Sequence, residues 1–444
     1  MLNARSRLRG ILAGGIARGA MASLGLRITS VTLAFLSAII LARILGPAGF
    51  GIYGFSLAVA EIMLIASTLG IPNLLRKEIP VAMHHCKNIY VRDLLRHSFA
   101  IVFAAAALTG AAVYLIALAS PDFLEQGSLL PLGLALVMLP FHALALTGQG
   151  ASAGLGQVVF GQIPLSIIRP GVILGILLCA YLLAIPLNPA EAVAITLLST
   201  LVTLGFALRL VLRNMPDYQP SESSPEISLR PLLKAGLPFT LIAGFGVLNN
   251  QADVVMLGIL TSAEETGFYR VAQRIASTAA FPYMALIMPL APAVAAMFAR
   301  GDIAGLRYRS VMASRYAFAG AAAISTVLIV FSDFVLRLFG DSFRSADTTL
   351  LLLCGGQLVI TGLFAIQTVL AMTGHEKIVA RNLAAGAILN ISLNFALIPS
   401  FGMEGAAFAS LFSSLLLGIA LLIQSRQSLG FAPAFFSRTR QTAE

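Results

Sequence analysis

Arg270 and Arg274 stand one helical turn apart in GFYRVAQRIAST, residues 267–278, just ahead of a long apolar run. A spacing of four puts both guanidiniums on one helix face, where their planar forks suit anions that present several oxygens. Asp253 ends the segment NNQAD shortly before them. Folding the two runs as a hairpin about Ser262 brings this acid opposite residue 271, at the depth of the arginines. Two readings follow. Asp253 forms a structural ion pair with one arginine, or a surplus cation remains to hold an anion. Arg169 precedes Pro170 and Gly171, and a proline removes one backbone hydrogen bond and disturbs the preceding turn. It either marks a broken helix at a polar site or lies on a simple kink and reaches toward water. Glu61 is a lone carboxylate well inside its run, able to exchange a proton or to hydrogen-bond a neighbouring helix. Arg76 and Lys77 end that run, where they anchor to lipid headgroups or attract an anion.

These charges matter because the rest of the chain is so apolar. Of 444 residues, 58% are hydrophobic and 11% charged, and mean hydropathy is +0.91. A soluble domain carries about a quarter charged residues, so the chain is expected to lie mostly in a bilayer. Twelve runs are long enough to span about 30 Å of hydrocarbon. They fall near 20–44, 52–74, 94–119, 128–148, 158–185, 190–212, 235–260, 266–298, 310–338, 346–372, 378–399 and 403–425. In such a solvent only helices satisfy the backbone, so the fold class is an all-α polytopic membrane protein. Ionisable side chains in such spans need a partner or water. Arg27 and Arg43 bracket only Ile28–Ala42, about 22 Å of helix at 1.5 Å per residue. Arg43 can snorkel, whereas Arg27 either snorkels or lines a cavity. The formal charge of +10 does not point to nucleic acid, because the basic residues are scattered over short connections and form no stripe. Cys86, Cys179 and Cys354 lie too far apart for a disulfide framework or a metal motif.

The basic residues also orient the chain. Most fall in alternate connections and at the two ends, whereas SPDFLEQGS, NPAE and TSAEETG carry none. The positive-inside rule then puts both termini in the cytoplasm, with the first span an uncleaved one behind a basic tail. The Pro-, Ser- and Glu-rich stretch at 213–231 reads as a linker. It divides an N-terminal six-helix bundle, 1–212, from a second at 232–425, with a tail at 426–444. GIYGFSLAVAEI at 51–62 echoes GFYRVAQRIAST, and ALTGQ at 145–149 echoes AMTGH at 371–375. The halves are therefore expected to be parallel repeats with a site between them.

Three stretches carry a family resemblance. LARILGPAGFGIYGFSLAVAEIMLIASTLGIPNLLRKEI (41–79), ADVVMLGILTSAEETGFYRVAQRI (252–275) and GHEKIVARNLAAGAILNISLNFALIPSFGMEGAAFAS (374–410) resemble corresponding segments of Wzx-type polysaccharide flippases. These belong to the multidrug/oligosaccharidyl-lipid/polysaccharide (MOP) superfamily. The resemblance implies twelve transmembrane helices in two six-helix bundles of MATE-like fold around a central cavity, working by alternating access. It implies transport of a polyprenyl-pyrophosphate-linked oligosaccharide from the cytoplasmic to the periplasmic leaflet of a bacterial inner membrane. It also implies partners in polysaccharide polymerase or export machinery. On this view Arg27, Arg76, Arg169, Arg270 and Arg274 are the candidate diphosphate-binding residues, and Glu61 and Asp253 are candidates for ion coupling or a structural pair. Asn390 and Asn394, one turn apart, are expected to join helices.

Two alternatives fit less well. A multidrug antiporter of the same superfamily would use an acid in the first span, and none occurs between Arg18 and Arg43. A membrane polymerase or ligase would need catalytic groups on substantial outer loops, and the expected outer loops are short and lack histidine. No GxxxxGK[ST] motif is present. The expectation is therefore a transporter without catalytic residues, cofactor, resident metal or nucleic-acid partner.

Overall fold

In a bilayer every backbone N–H and C=O must find a partner within the protein, so the chain can cross only as helices. The computed structural model describes the backbone of residues 2–84, 88–119, 127–215 and 229–437. Side chains of 1–18, 20, 229–239 and 241–243 also lie outside the description. Most of the expected linker 213–231, most of the loop SPDFLEQGS, Cys86 and the tail beyond Ser437 therefore fall outside the described residues. Among the described residues there are helices and no strands.

The helices are α1 (Leu2–Thr68), α2 (Ile71–His84), α3 (Asn88–Ala119), α4 (Leu129–Gly154), α5 (Arg169–Leu182), α6 (Pro189–Arg213) and α7 (Leu229–Leu260). They continue with α8 (Ala263–Ala276), α9 (Phe281–Ala299), α10 (Ile303–Val330), α11 (Ser332–Arg337), α12 (Asp347–Met372) and α13 (Glu376–Leu429). Nine helical stretches among the described residues are long and apolar enough to cross a membrane. The count differs from the twelve expected spans because α1 and α13 each hold two of them, and because α7, with side chains of 229–239 and 241–243 outside the description, is not among the nine. Within α1, Gly46 takes φ 67°, and within α13, Gly402 takes φ 54°. That left-handed region suits glycine, and helix resumes at once on either side. Each long helix therefore runs through two hydropathy segments.

The chain forms two compact units, residues 1–44 with 59–244 and residues 45–58 with 245–444. The division differs from the expected bundles 1–212 and 232–425 in two ways. The short stretch 45–58 belongs with the second unit because its backbone meets α8 almost without a gap. A Cβ on Gly51 would overlap the Ala263 carbonyl, and one on Gly267 would overlap that of Pro47. Phe50 adds an edge-on contact to Phe343, with centroids 6.4 Å apart. The boundary also falls within α7, at Gly244, and not in the linker.

In the first unit, Ile71, Leu75, Leu94, Leu95, Val102 and Leu139 form a buried core of α2, α3 and α4. The face between α4 and α6 is small and hydroxyl-lined. Gly148 meets Ala207, and Thr196, Thr200 and Thr203 each donate to the carbonyl four residues earlier. Such faces let helices approach closely in lipid, and back-bonding satisfies the hydroxyls. Asn188 caps α6 through a reciprocal pair with Glu191, at 2.9 and 2.8 Å. In the second unit, Leu290, Val294, Phe364 and Val369 pack α9 against α12. The chain after α13 folds back as a strap. Phe435 stacks on Phe318 at 3.9 Å. Arg315 donates to the Phe435 and Ser437 carbonyls at 3.1 and 2.9 Å.

Candidate functional site

The α7–α8 hairpin turns at Ser262, whose side chain accepts from the Glu265 N–H. Its register sets Gln251 and Asn250 of α7 beside Arg270 and Gln273 of α8. Arg270 Nη1 donates to Gln251 Oε1 at 2.8 Å and to Gln273 Oε1 at 3.0 Å. Gln273 Nε2 in turn donates to the Asn250 carbonyl at 2.8 Å. The aliphatic stem of Arg270 runs over Gly54 in the space a side chain would fill. Both hydrogen-bond partners are neutral amides, so the guanidinium is oriented while its charge is left uncancelled. Arg274, one turn on, is half-buried like Arg270.

In the first unit the backbone ahead of α5 is irregular. A 3-10 turn at Phe160–Gln162 leads into a π-helical turn at Pro164–Ile168, and α5 starts at Arg169. Gln162 Nε2 ties the turn to Ser23 Oγ of α1 at 3.1 Å. The helix is not interrupted at Pro170: one helical stretch runs from Phe160 to Leu182, with the π-turn just N-terminal to the proline. Half-buried Arg169 extends from it, and Nη1 lies 3.2 Å from Nε2 of buried His142 on α4. Arginine has no acceptor and keeps its charge. Nε2 must therefore accept, which fixes His142 as the neutral Nδ1–H tautomer in this arrangement.

A family model described as "Polysaccharide biosynthesis protein" matches residues 16–298. The chain belongs to that family. Among curated relatives, a probable low-salt glycan biosynthesis flippase, Agl15 of Haloferax volcanii, is 26% identical over 171 residues, which is 38% of this chain and 36% of that protein. The match therefore spans about a third of that relative's length. Among solved structures, an inward-facing multidrug resistance MATE family transporter of the MOP superfamily superposes with a TM-score of 0.70 at 16% identity, covering 93% of this chain and 98% of the other. Lipid II flippase MurJ in an inward closed conformation also gives 0.70, at 12% identity, covering 92% and 87%. At these identities the likeness establishes the fold, that of MOP transporters, and with the apolar helices it makes this family member a multi-pass membrane protein.

The acid of the second unit corrects the expected ion pair. Asp253 is 1% exposed and takes neither arginine as its partner. It accepts from Tyr269 Oη (2.5 Å), Asn394 Nδ2 (2.6 Å) and Ser410 Oγ (2.5 Å). The hairpin does bring it to the depth of Arg270, but Tyr269, one residue earlier on α8, points at it while Arg270 faces Gln251. Asn390 completes the cluster, accepting from Asn394 at 3.2 Å and donating to Ser410 at 3.3 Å. Both asparagines thus join the two halves of α13 to α7, as helix-joining residues should. Asn394 Oδ1 is buried with no hydrogen-bond partner.

The remaining candidates are more peripheral. Arg27 is exposed on α1, and Arg76 is exposed on α2, where Nη1 reaches Asn73 Oδ1 at 3.3 Å. Glu61 is half-buried on α1 and is engaged by a neighbouring group. Of the seven expected site residues, Arg27, Glu61, Arg76 and Arg169 fall in the first unit, and Asp253, Arg270 and Arg274 in the second. Sequence reasoning missed Tyr269, Gln251, Gln273 and the pairing of His142 with Arg169. The one available signal was polarity in runs where polarity is costly.

Proposed function

We propose that this protein moves polyprenyl-pyrophosphate-linked oligosaccharide repeat units from the cytoplasmic to the periplasmic leaflet by alternating access, for O-antigen, capsule or exopolysaccharide assembly. It would do so in a bacterial inner membrane with both termini cytoplasmic, handing its product to polymerase or export partners. The observation that carries this reading is Arg270, a guanidinium held by two neutral amides with its charge uncancelled. An arginine in that state offers a full charge and a preset fork to a diphosphate. Arg169 and Arg274 supply further cations, and Arg27 and Arg76 would meet the headgroup earlier in its path. The fold shared with MOP transporters and membership of the polysaccharide biosynthesis family support the same reading. Asp253 and Glu61 are the residues proposed to carry a coupling ion or to act as structural partners.

A cationic drug as cargo is disfavoured, since the guanidiniums would repel it. The test is complementation of cells lacking the gene. Arg270→Ala at normal protein level is expected to cut surface polysaccharide about tenfold to a hundredfold, the loss of one or two charge-assisted hydrogen bonds, with lipid-linked repeat units accumulating. Normal polymer from Arg270→Ala, Arg274→Ala and Arg169→Ala alike would sink the proposal while leaving the fold assignment intact.

A further inference from the structure

The two echoing stretches, which begin at Gly51 and Gly267, meet within the second unit at equivalent positions. A Cβ on Gly51 would run into the carbonyl of Ala263, four residues before Gly267. A Cβ on Gly267 would run into the carbonyl of Pro47, four residues before Gly51. The contact is reciprocal, as it is where two like elements cross on a two-fold axis. One turn further on the symmetry is broken. Gly54 and Arg270 hold the equivalent places, three residues after Gly51 and Gly267. Arg270 lays its stem over Gly54, and its head turns to Gln251 and Gln273.

From this broken symmetry we infer that Gly54 is a positioning residue of the anion site: the side chain it lacks is the seat of the Arg270 stem and sets where the guanidinium stands. The inference rests on the reading of Arg270 as a diphosphate contact and adds a residue that acts only through it. Gly51 and Gly54 are glycines for different reasons. The atoms nearest a Cβ on Gly51 are backbone atoms of Ala263 and Gly267. Those nearest a Cβ on Gly54 all belong to the Arg270 side chain, Cγ at 3.2 Å, Cδ at 3.6 Å and Nε at 3.7 Å. Close helix packing accounts for the first glycine, and the arginine accounts for the second. The backbone does not ask for glycine at 54 either, since the residue is helical and is not among those at positive φ. An alanine there would favour the helix more.

The seat is fixed on its other sides as well. Phe55, next along α1, fills the space over Gly258 of α7, so α1 is held on the α7–α8 hairpin right beside the arginine. The head of Arg270 has one tether from α7, Gln251 at 2.8 Å, and one from α8, Gln273 at 3.0 Å. Carbon atoms settle about 3.5–4.0 Å apart. A methyl group at 54, 3.2 Å from Cγ, therefore pushes the stem aside by a few tenths of an ångström. The guanidinium swings with the stem, and tethers on two different helices cannot both follow it. Two-pronged recognition of a diphosphate depends on that placement. A second arginine at 54 would need the volume that the first already fills, so the crossing offers one guanidinium and not a symmetric pair.

The experiment is calorimetric titration of geranyl diphosphate into the full-length protein in nanodiscs, for the wild type, Gly54→Ala, Arg270→Ala and the double variant, with a melting curve for each. Gly54→Ala is expected to bind about three- to tenfold more weakly than the wild type, part of the loss in Arg270→Ala, because the charge stays and the fork shifts. Its melting temperature should hold or rise, as alanine in a helix favours. Added to Arg270→Ala, where no stem remains to displace, the same change should cost no further affinity. Unchanged affinity in Gly54→Ala, or an equal loss in both backgrounds, overturns the inference and leaves the flippase reading standing. A fall in melting temperature that recurs when Gly54→Ala is added to Arg270→Ala marks a packing role and overturns it too. If Gly54→Ala does not fold, folding of the double variant supports the inference, and failure of both overturns it. Wild-type affinity in Arg270→Ala, or no binding by the wild type, overturns the reading of Arg270 and the inference with it.

Discussion

The two units hold their membrane-depth arginines by different chemistry. In the first, Arg169 meets His142, a buried imidazole on a neighbouring helix, at 3.2 Å. In the second, Arg270 rests on Gln251 and Gln273, two neutral amides. The second unit also contains a buried carboxylate, Asp253, saturated by three donors from Tyr269, Asn394 and Ser410. Arg169 opens an otherwise apolar α5, whereas Arg270 lies in α8 beside Glu264, Glu265 and Arg274. A membrane protein can set the availability of a positive charge through the acceptor that holds it, without changing the charge itself.

The comparison breaks most severely at Asp253. In the second unit the acid is proposed to organise three helices as well as carry an ion. Asp253→Ala would strand the Tyr269 and Ser410 hydroxyls and the Asn394 amide in a site with 1% exposure. Each buried donor left without an acceptor costs roughly 1–3 kcal/mol, so the variant is expected to show the largest loss of thermal stability in detergent. Asp253→Asn keeps an acceptor oxygen and should fall between that and the wild type. An Asp253→Ala protein that melts with the wild type would mean the cluster does not hold these helices together, and the contrast between units would lose one side.

A sharper cut is Gln273→Glu. The new carboxylate can still accept from Arg270, as the amide does at 3.0 Å, and cancels its charge, but it has no donor for the Asn250 carbonyl that Gln273 Nε2 now reaches at 2.8 Å. If the uncancelled charge is what binds a diphosphate, affinity for geranyl diphosphate should fall about tenfold or more, a charge-assisted contact being worth roughly 1.5–3 kcal/mol. Gln273→Leu, which loses both amide contacts and leaves the charge, controls for the lost donor and is expected to bind more tightly than Gln273→Glu. Equal affinity in the two variants would show that Arg270 acts by position alone.

Much of this was legible before any coordinates, and the limits are physical. An apolar composition with sparse charges allows only helices in a bilayer, and hairpin folding about Ser262 correctly set the depth of Asp253. Depth is not direction, however. Residues 269 and 270 are about 100° apart around a helix, so the tyrosine took the acid and the arginine took the glutamines. Asn394 and Ser410 reach Asp253 across 141 and 157 residues of chain, and His142 meets Arg169 across 27. Such partners are chosen by packing between helices that a single sequence does not pair. The breaks at Gly46 and Gly402 were legible, since each glycine falls between two expected spans, 20–44 and 52–74 or 378–399 and 403–425. One residue at positive φ is enough to turn the chain there while helix resumes on both sides.

The smallest expected effect separates charge from shape at Arg169. Arg169→Lys keeps the positive charge but replaces a fork with a point. Affinity for geranyl diphosphate should drop a few-fold, by about 1 kcal/mol or less for a lost bidentate contact partly made good by a single one. Arg169→Ala removes the charge as well and should lose about tenfold or more. A lysine variant as weak as the alanine one would show that the fork, and not the charge, does the binding at Arg169, in contrast to the part proposed for the uncancelled charge of Arg270.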